Sequence, residues 1–252
     1  MLLPNLYPRR IHLSASAFFA LSFFVFIHSR AQEPAQASDH PPLTYKTVLF
    51  LGNSITLHSP APQIGWNGNW GMAASSEDKD FVHQFSKHIE HQQDSRPKLI
   101  VRNIADFERS LSQYDIPKQL TELFTDQPEL IIIAIGENVS DLATPEKQAE
   151  FRESFQKLLQ FAKTHSNATI IVRSCFWANE IKDRIMQEQS QAADIMFVDI
   201  GNLGADPRNR ASAERDFTHA GVAGHPGDRG MAAIADALWM ALQKSTKATV
   251  NK

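Results

Sequence analysis

The sequence predicts an α/β fold, a three-layer α/β/α sandwich on a five-stranded parallel sheet. Three observations lead there. Five apolar runs of strand length lie between residues 44 and 252, and several are continuous rather than alternating, as in parallel strands covered on both faces. Helical patterns separate them. Strands alternating with helices imply right-handed crossovers, which put helices on both sides of one sheet.

The elements follow in order. The first run is Thr47–Leu51, and it stops at the small polar cluster Gly52-Asn53-Ser54. A helical pattern covers Glu77 to Gln92. The second run, Leu99–Asn103, leads into a loop, Asn103-Ile104-Ala105-Asp106-Phe107-Glu108-Arg109, and a helix over Pro117 to Phe124. The third run, Glu129–Ile135, ends at Gly136-Glu137-Asn138. The next helix spans Pro145 to Thr164, with Thr144 as N-cap and Pro145 at the first helical position, where its missing N–H costs nothing. Its buried face is Phe151, Phe155, Leu158, Leu159 and Ala162, spaced i, i+4, i+7, i+8, i+11. Ala168–Arg173 is the fourth run, followed by a helix over Asn179 to Ala193; Ile195–Ile200 is the fifth. A long loop, Gly201 to Pro226, carries His219 and His225, and a last helix covers Asp228 to Lys244.

A chain of 252 residues suffices for one such domain with a real core. A net charge of −3 leaves no footprint for nucleic acid or an anionic membrane. Residues 1–31 read as a secretory signal. Arg9-Arg10 precede an apolar stretch from Leu13 to Ile27, and Ser29 and Ala31 stand at −3 and −1 of a cut after Ala31. The stretch is shorter than the about 20 residues of a membrane span; an uncleaved anchor is the alternative reading. The arginine pair hints at a twin-arginine route. Residues 32–43 are a flexible lead-in. The mature protein is thus expected outside the cytoplasm, secreted or periplasmic, without stable membrane association. The single cysteine, Cys175, excludes an internal disulfide and reads as a small buried residue.

In open α/β sheets, sites lie beyond the carboxyl ends of the strands. Four of those ends carry polar groups. Ser54, Asn138 and His225 are the candidates. A serine hydroxyl becomes a nucleophile when a base takes its proton, and the base is commonly His. The intermediate then needs donors aimed at its oxyanion, which the Ser54 backbone N–H and the Asn138 side chain can supply. Taken singly, Ser54 is a turn residue and His225 a solvated loop histidine. Their order at successive strand ends gives the set its weight.

Three blocks carry a family resemblance. "FLGNSIT" is similar to the nucleophile block of the SGNH (GDSL-type) hydrolases, where an apolar strand runs into Gly-Asp-Ser. "IIIAIGENVSD" resembles their Gly-x-Asn block, and "GHPGDRGMAAIADAL" their C-terminal block, in which His-Pro opens the last helix. "GWNGNWGMAAS", Gly65 to Ser75, resembles a motif of an exported bacterial subgroup. The resemblance implies a flavodoxin-like sandwich that hydrolyses esters or thioesters with neither metal nor cofactor, in many members by removing acetyl groups from carbohydrates. It implies Ser54 as nucleophile, Asn138 as oxyanion donor and His225 as base.

Three positions depart from the family pattern. Asn53 replaces Asp beside the nucleophile, a change expected to matter little to the chemistry. The second block lacks the Gly whose N–H completes the oxyanion hole; the backbone of Phe107 or Glu108 is the candidate substitute. Val222 stands where the Asp that orients the histidine is usual. Either a backbone carbonyl holds the imidazole, making a Ser–His dyad, or Asp216 or Asp228 replaces the acid, Asp228 being also a natural helix cap.

The segment His58 to Ser75 is long for a strand-to-helix connection. Its Trp66 and Trp70 suit stacking on sugar rings or plugging the loop onto the sheet, and Phe176-Trp177 carries the same ambiguity. Glu137 and Arg109 are candidates to bind substrate or to pair with each other. His83, His88 and His91 share a predicted helix without the pattern of a zinc site, so no metal is expected. The expected function is an exported serine esterase acting on O-acetyl groups of carbohydrate. The alternatives are a sugar O-acyltransferase using the same residues and a non-catalytic carbohydrate-binding protein.

Overall fold

The computed structural model describes residues 44–250. The expected leader over 1–31 and the lead-in over 32–43 lie outside the described residues. β1 (Thr47–Gly52), α1 (Phe81–Gln93), β2 (Lys98–Asn103), α2 (Ala105–Ser110), α3 (Ile116–Leu120), β3 (Leu130–Ala134), α4 (Pro145–His165) and β4 (Thr169–Arg173) follow one another. α5 (Glu180–Ala192), β5 (Met196–Val198), α6 (Gly201–Ala205), α7 (Ala220–Gly224) and α8 (Asp228–Val250) complete the chain. All strands pair in parallel in the order β2-β1-β3-β4-β5, the flavodoxin-like order. No described helix is long and apolar enough to cross a membrane.

The apolar strands bury both faces, one residue up and the next down. Leu49 and Leu51 of β1 join Ile131 and Ile133 of β3 under α4 and α5, packed on Phe151, Phe155, Leu158 and Met186. Val48 and Phe50 join Ile132 and Ala134 on the opposite side, under Phe81, Phe85 and Ile89 of α1 and Ile234 and Leu238 of α8. The face foreseen in α4 is fully buried, 1% exposed at most.

Several expected elements differ: the loop over Gly201 to Pro226 holds α6 and α7, and the helix over Pro117 to Phe124 gives way to a 3₁₀ turn after Leu120. The first helix starts not at Glu77 but after Asp80, whose side chain accepts from His83 N; Glu77–Lys79 forms a separate 3₁₀ turn. Asp80 is a stronger start signal than the acidic residues before it, because its carboxylate satisfies a free N–H. The loop expected after the second strand is helix α2. Phe107 sits on its inner face, 0% exposed, and that burial selects a helix in a segment too short to declare a period.

Register brings the strand ends level. Gly52 pairs with Asn103 of β2 on one side and Ala134 of β3 on the other. Ser54 and Asn138 therefore leave the same rim of the sheet.

Candidate active site

Ser54 lies in the turn that closes β1. Thr56 N and Leu57 N both donate to Asn53 O, each at 2.9 Å. Gly52 is required there: a Cβ would stand 1.9 Å from Thr56 Oγ1. Ser54 Oγ is 2.8 Å from His225 Nε2.

The other ring nitrogen answers the question raised by Val222. His225 Nδ1 is 2.6 Å from the Gly221 carbonyl oxygen. A carbonyl only accepts, so Nδ1 carries the hydrogen and Nε2 is left as the acceptor for the serine hydroxyl. Neither candidate acid takes part. Asp228 accepts from Ser75 N at 2.7 Å and Ser75 Oγ at 2.5 Å, and Asp216 is exposed. α8 is capped instead by Glu214, which accepts from Asp228 N and Arg229 N. Val222 is 1% exposed and points into a satellite core with Ala61, Trp66, Met72, Ala73 and Ala211.

That core gives the His58–Ser75 loop its place. His58 N donates to Trp70 O at 2.9 Å, and Met72 N donates to Ser54 O at 2.8 Å. Trp66 Nε1 donates to His58 O and Trp70 Nε1 to Ala74 O, each at 3.0 Å, and the two rings meet edge to face at 5.6 Å. Trp66 is 6% exposed, so no face of it is open to a sugar ring; it locks the loop against the turn that carries His225. Trp70 is half-buried and lines a cavity of about 290 Å³ with Thr56, Leu57, Asn69 and His83. Trp177 packs edge-on against the His225 imidazole at 5.4 Å.

Beneath the serine lies a buried polar network. Arg173, 0% exposed, forms an ion pair of 2.6 Å with Glu137, whose side chain is 4% exposed. Glu137 Oε1 also accepts from Phe176 N, and its Oε2 accepts from Asn53 Nδ2 at 2.6 Å. Arg109 pairs with Asp106 instead, at 3.1 Å. The expected Glu137–Arg109 pairing is thus replaced: Arg173 ends the neighbouring strand and reaches Glu137 within the sheet layer, while Arg109 faces solvent. A carboxylate spent on Arg173, Phe176 and Asn53 is not presented to a substrate.

The Asn138 amide rests on the second buried acid. Its Nδ2 donates to Glu108 Oε2 at 2.9 Å. Glu108 Oε1 accepts from Gly136 N at 2.6 Å, Asn138 N at 3.1 Å and Asn53 Nδ2 at 3.3 Å. Gly136 makes the turn possible: its φ is +120°, a region costly for any residue with a Cβ, and a Cβ would meet Cys175 Sγ at 2.5 Å. Phe107 N donates to Ile104 O at 2.9 Å inside α2 and so is not available to an oxyanion.

Charge in this layer follows from burial and neighbours. Burial pushes Glu108 above the ordinary carboxylate range, Glu137 adds to it, and the Asn138 and Gly136 donors work against both. Burial also pushes Glu137 up, but the Arg173 guanidinium and the donors around it outweigh that and hold it below the usual range. Burial lowers His225 below its ordinary value, against the opposing pull of the Gly221 carbonyl and the Glu137 charge. A lowered value keeps the imidazole neutral, the form that accepts a proton, at pH 7.

His83 bonds Asp80 at 2.8 Å and His88 stacks on Trp239. Among the described residues no three His, Cys, Asp or Glu side chains stand together to hold a metal ion. Burial raises the Cys175 thiol. Sequence reasoning missed the side-chain role of Glu108 and the Glu137–Arg173 pair. The second had a visible signal: opposite charges ending two neighbouring apolar strands.

No protein-family model matches the chain, and no curated protein sequence does. Solved structures do. A protein described as a GDSL-like lipase from Bacteroides ovatus matches at 17% identity, covering 80% of this chain and 100% of that one, with a TM-score of 0.53. The acetyl xylan esterase AlAXEase matches at 16% identity over 77% of this chain and 98% of that one, with a TM-score of 0.50. A family two carbohydrate esterase from Cellvibrio japonicus matches at 17% identity over 81% of this chain and 62% of that one, also with a TM-score of 0.50. The chain shares the fold of these GDSL-like lipases and carbohydrate esterases.

Proposed function

We propose that the chain is an exported serine esterase of the SGNH type that removes O-acetyl groups from carbohydrate through a Ser–His dyad. The observation that carries the reading is the relay from Ser54 Oγ to His225 Nε2 at 2.8 Å and from Nδ1 to Gly221 O at 2.6 Å. Ser54 Oγ attacks the ester carbonyl while Nε2 takes the hydroxyl proton. The imidazolium so formed keeps its Nδ1–H on the Gly221 carbonyl, which orients the ring as a carboxylate would, with less charge compensation. The Ser54 N–H and the Asn138 side chain receive the oxyanion. The imidazolium returns its proton to the leaving alcohol, and water then repeats the sequence on the acyl-enzyme.

The acetyl preference draws support from the fold shared with an acetyl xylan esterase and from the Trp177 ring crowding His225. The half-buried Trp70, next to the loop that packs on Ser54, is the proposed contact for the sugar. The test is hydrolysis of an aryl acetate by the mature chain. Wild-type turnover with none in Ser54→Ala and His225→Ala is expected; equal rates in wild type and Ser54→Ala would sink the reading.

A further inference from the structure

The catalytic groups account for Ser54, His225 and Asn138, but not for a second glutamate buried under them. Glu108 is 0% exposed, and such a carboxyl is costly unless its oxygens are satisfied. Four N–H donors converge on it. Oε1 takes the two backbone N–H groups that frame Glu137, from Gly136 and Asn138, together with Asn53 Nδ2; Oε2 takes Asn138 Nδ2.

The geometry points to Glu108 as the positioning residue of the oxyanion hole, acting through Asn138. An asparagine amide has two faces, one a donor and one an acceptor, and only the donor face stabilises an oxyanion. Glu108 Oε2 accepts from the amide nitrogen of Asn138 at 2.9 Å and so holds that nitrogen, rather than the amide oxygen, on its own side. That bond uses one Nδ2 hydrogen and leaves the other for the substrate. The bonds from Gly136 N and Asn138 N fix the backbone on which the amide is mounted. Asn53, one residue before the nucleophile, hangs from the same carboxylate. Nucleophile turn and oxyanion donor are thus referenced to one side chain from α2. The inference rests on the proposed role of Asn138 as an oxyanion donor.

Glu108→Gln is nearly isosteric and separates this role from packing. Its amide oxygen can still serve Gly136 N and Asn138 N, which leaves its NH₂ facing Asn138 Nδ2, donor against donor. The Asn138 amide relieves this by turning over, which removes its nitrogen from the substrate side. On the aryl acetate, kcat is expected to fall about 10²–10³-fold, the cost of one oxyanion donor, with KM little changed. Asn138→Ala should show a similar loss, and Glu108→Gln added to it should cause no further fall in kcat. Glu108→Asp, which withdraws the carboxylate by about 1.5 Å, provides the same comparison if Glu108→Gln does not fold. Unchanged kcat in the folded Glu108 variant, or losses that multiply in the double variant, would overturn the positioning role. Wild-type kcat in Asn138→Ala would instead overturn the oxyanion reading on which it rests.

Discussion

Val222→Asp, which installs the acid that SGNH hydrolases carry at the corresponding position, should cost stability and yield no triad. Val222 is 1% exposed and packs with Trp66, Met72 and Ala73. Full burial of a valine side chain contributes about 1.5–3 kcal/mol, all of it lost. The new carboxyl enters the same apolar cluster, where a polar group without a partner costs about 1–3 kcal/mol more by protein mutational data. The sum is about 3–6 kcal/mol. At about 2–4 °C per kcal/mol for a domain of this size, the melting temperature should drop by roughly 6–24 °C. The acid would also point away from the imidazole, because His225 Nδ1 is already turned to Gly221 O at 2.6 Å. Thermal unfolding by circular dichroism at pH 7, beside aryl acetate turnover, provides the measurement. A variant that melts within a degree or two of wild type and turns over faster would refute both the orientation of Val222 and the carbonyl-held histidine.

The remaining predictions concern the same site. Asp216→Ala and Asp228→Ala should keep near wild-type kcat, with Asp228→Ala less stable by about 1–3 kcal/mol through the lost Ser75 bonds; a hundred-fold fall in kcat in either would restore a triad. The proposed base works when neutral, and burial depresses His225, so kcat/KM should fall on acidification with a midpoint below the ordinary value of about 6.5; a midpoint above it would contradict the site's electrostatics. Asn53→Asp removes the donor shared by Glu108 and Glu137 and adds a third carboxyl whose folded-state value is raised. The folded state then holds more protons than the unfolded one, so the deficit, at least about 2 kcal/mol, is full at neutral pH and shrinks as pH falls toward about 4. Melting curves for wild type and variant that coincide at pH 8 would refute this.

That last residue marks where sequence reading stopped. Asn53 in place of Asp is read as mattering little to the chemistry, and the sequence says nothing of a structural role. The structure shows it bridging two acids 55 and 84 positions away, something no local pattern reveals. Trp66 shows the same limit. Its place in a Gly- and Trp-rich loop suits a sugar platform or a plug equally, and only its burial against Val222 and Ala211 selects the plug, a wedge under the histidine's turn.

The periodic elements were legible in the residues alone. Continuous apolar runs and the α4 stripe declare parallel strands and a covering helix because burial acts on side-chain period, which is local. Gly52 and the cap at Thr144 were readable too, each meeting a backbone need within a few residues, whereas the Asp80 cap was not, and the helix it starts was placed too early, at Glu77. What the tertiary structure decided is everything that depends on two segments meeting. Strand register sets Ser54 level with Asn138, and the packed loop carries His225 to 2.8 Å from the serine. The missing acid belongs to that second kind. Sequence could show that Val222 is no aspartate; only the folded turn shows that a backbone carbonyl, which every residue possesses, holds the ring in its place.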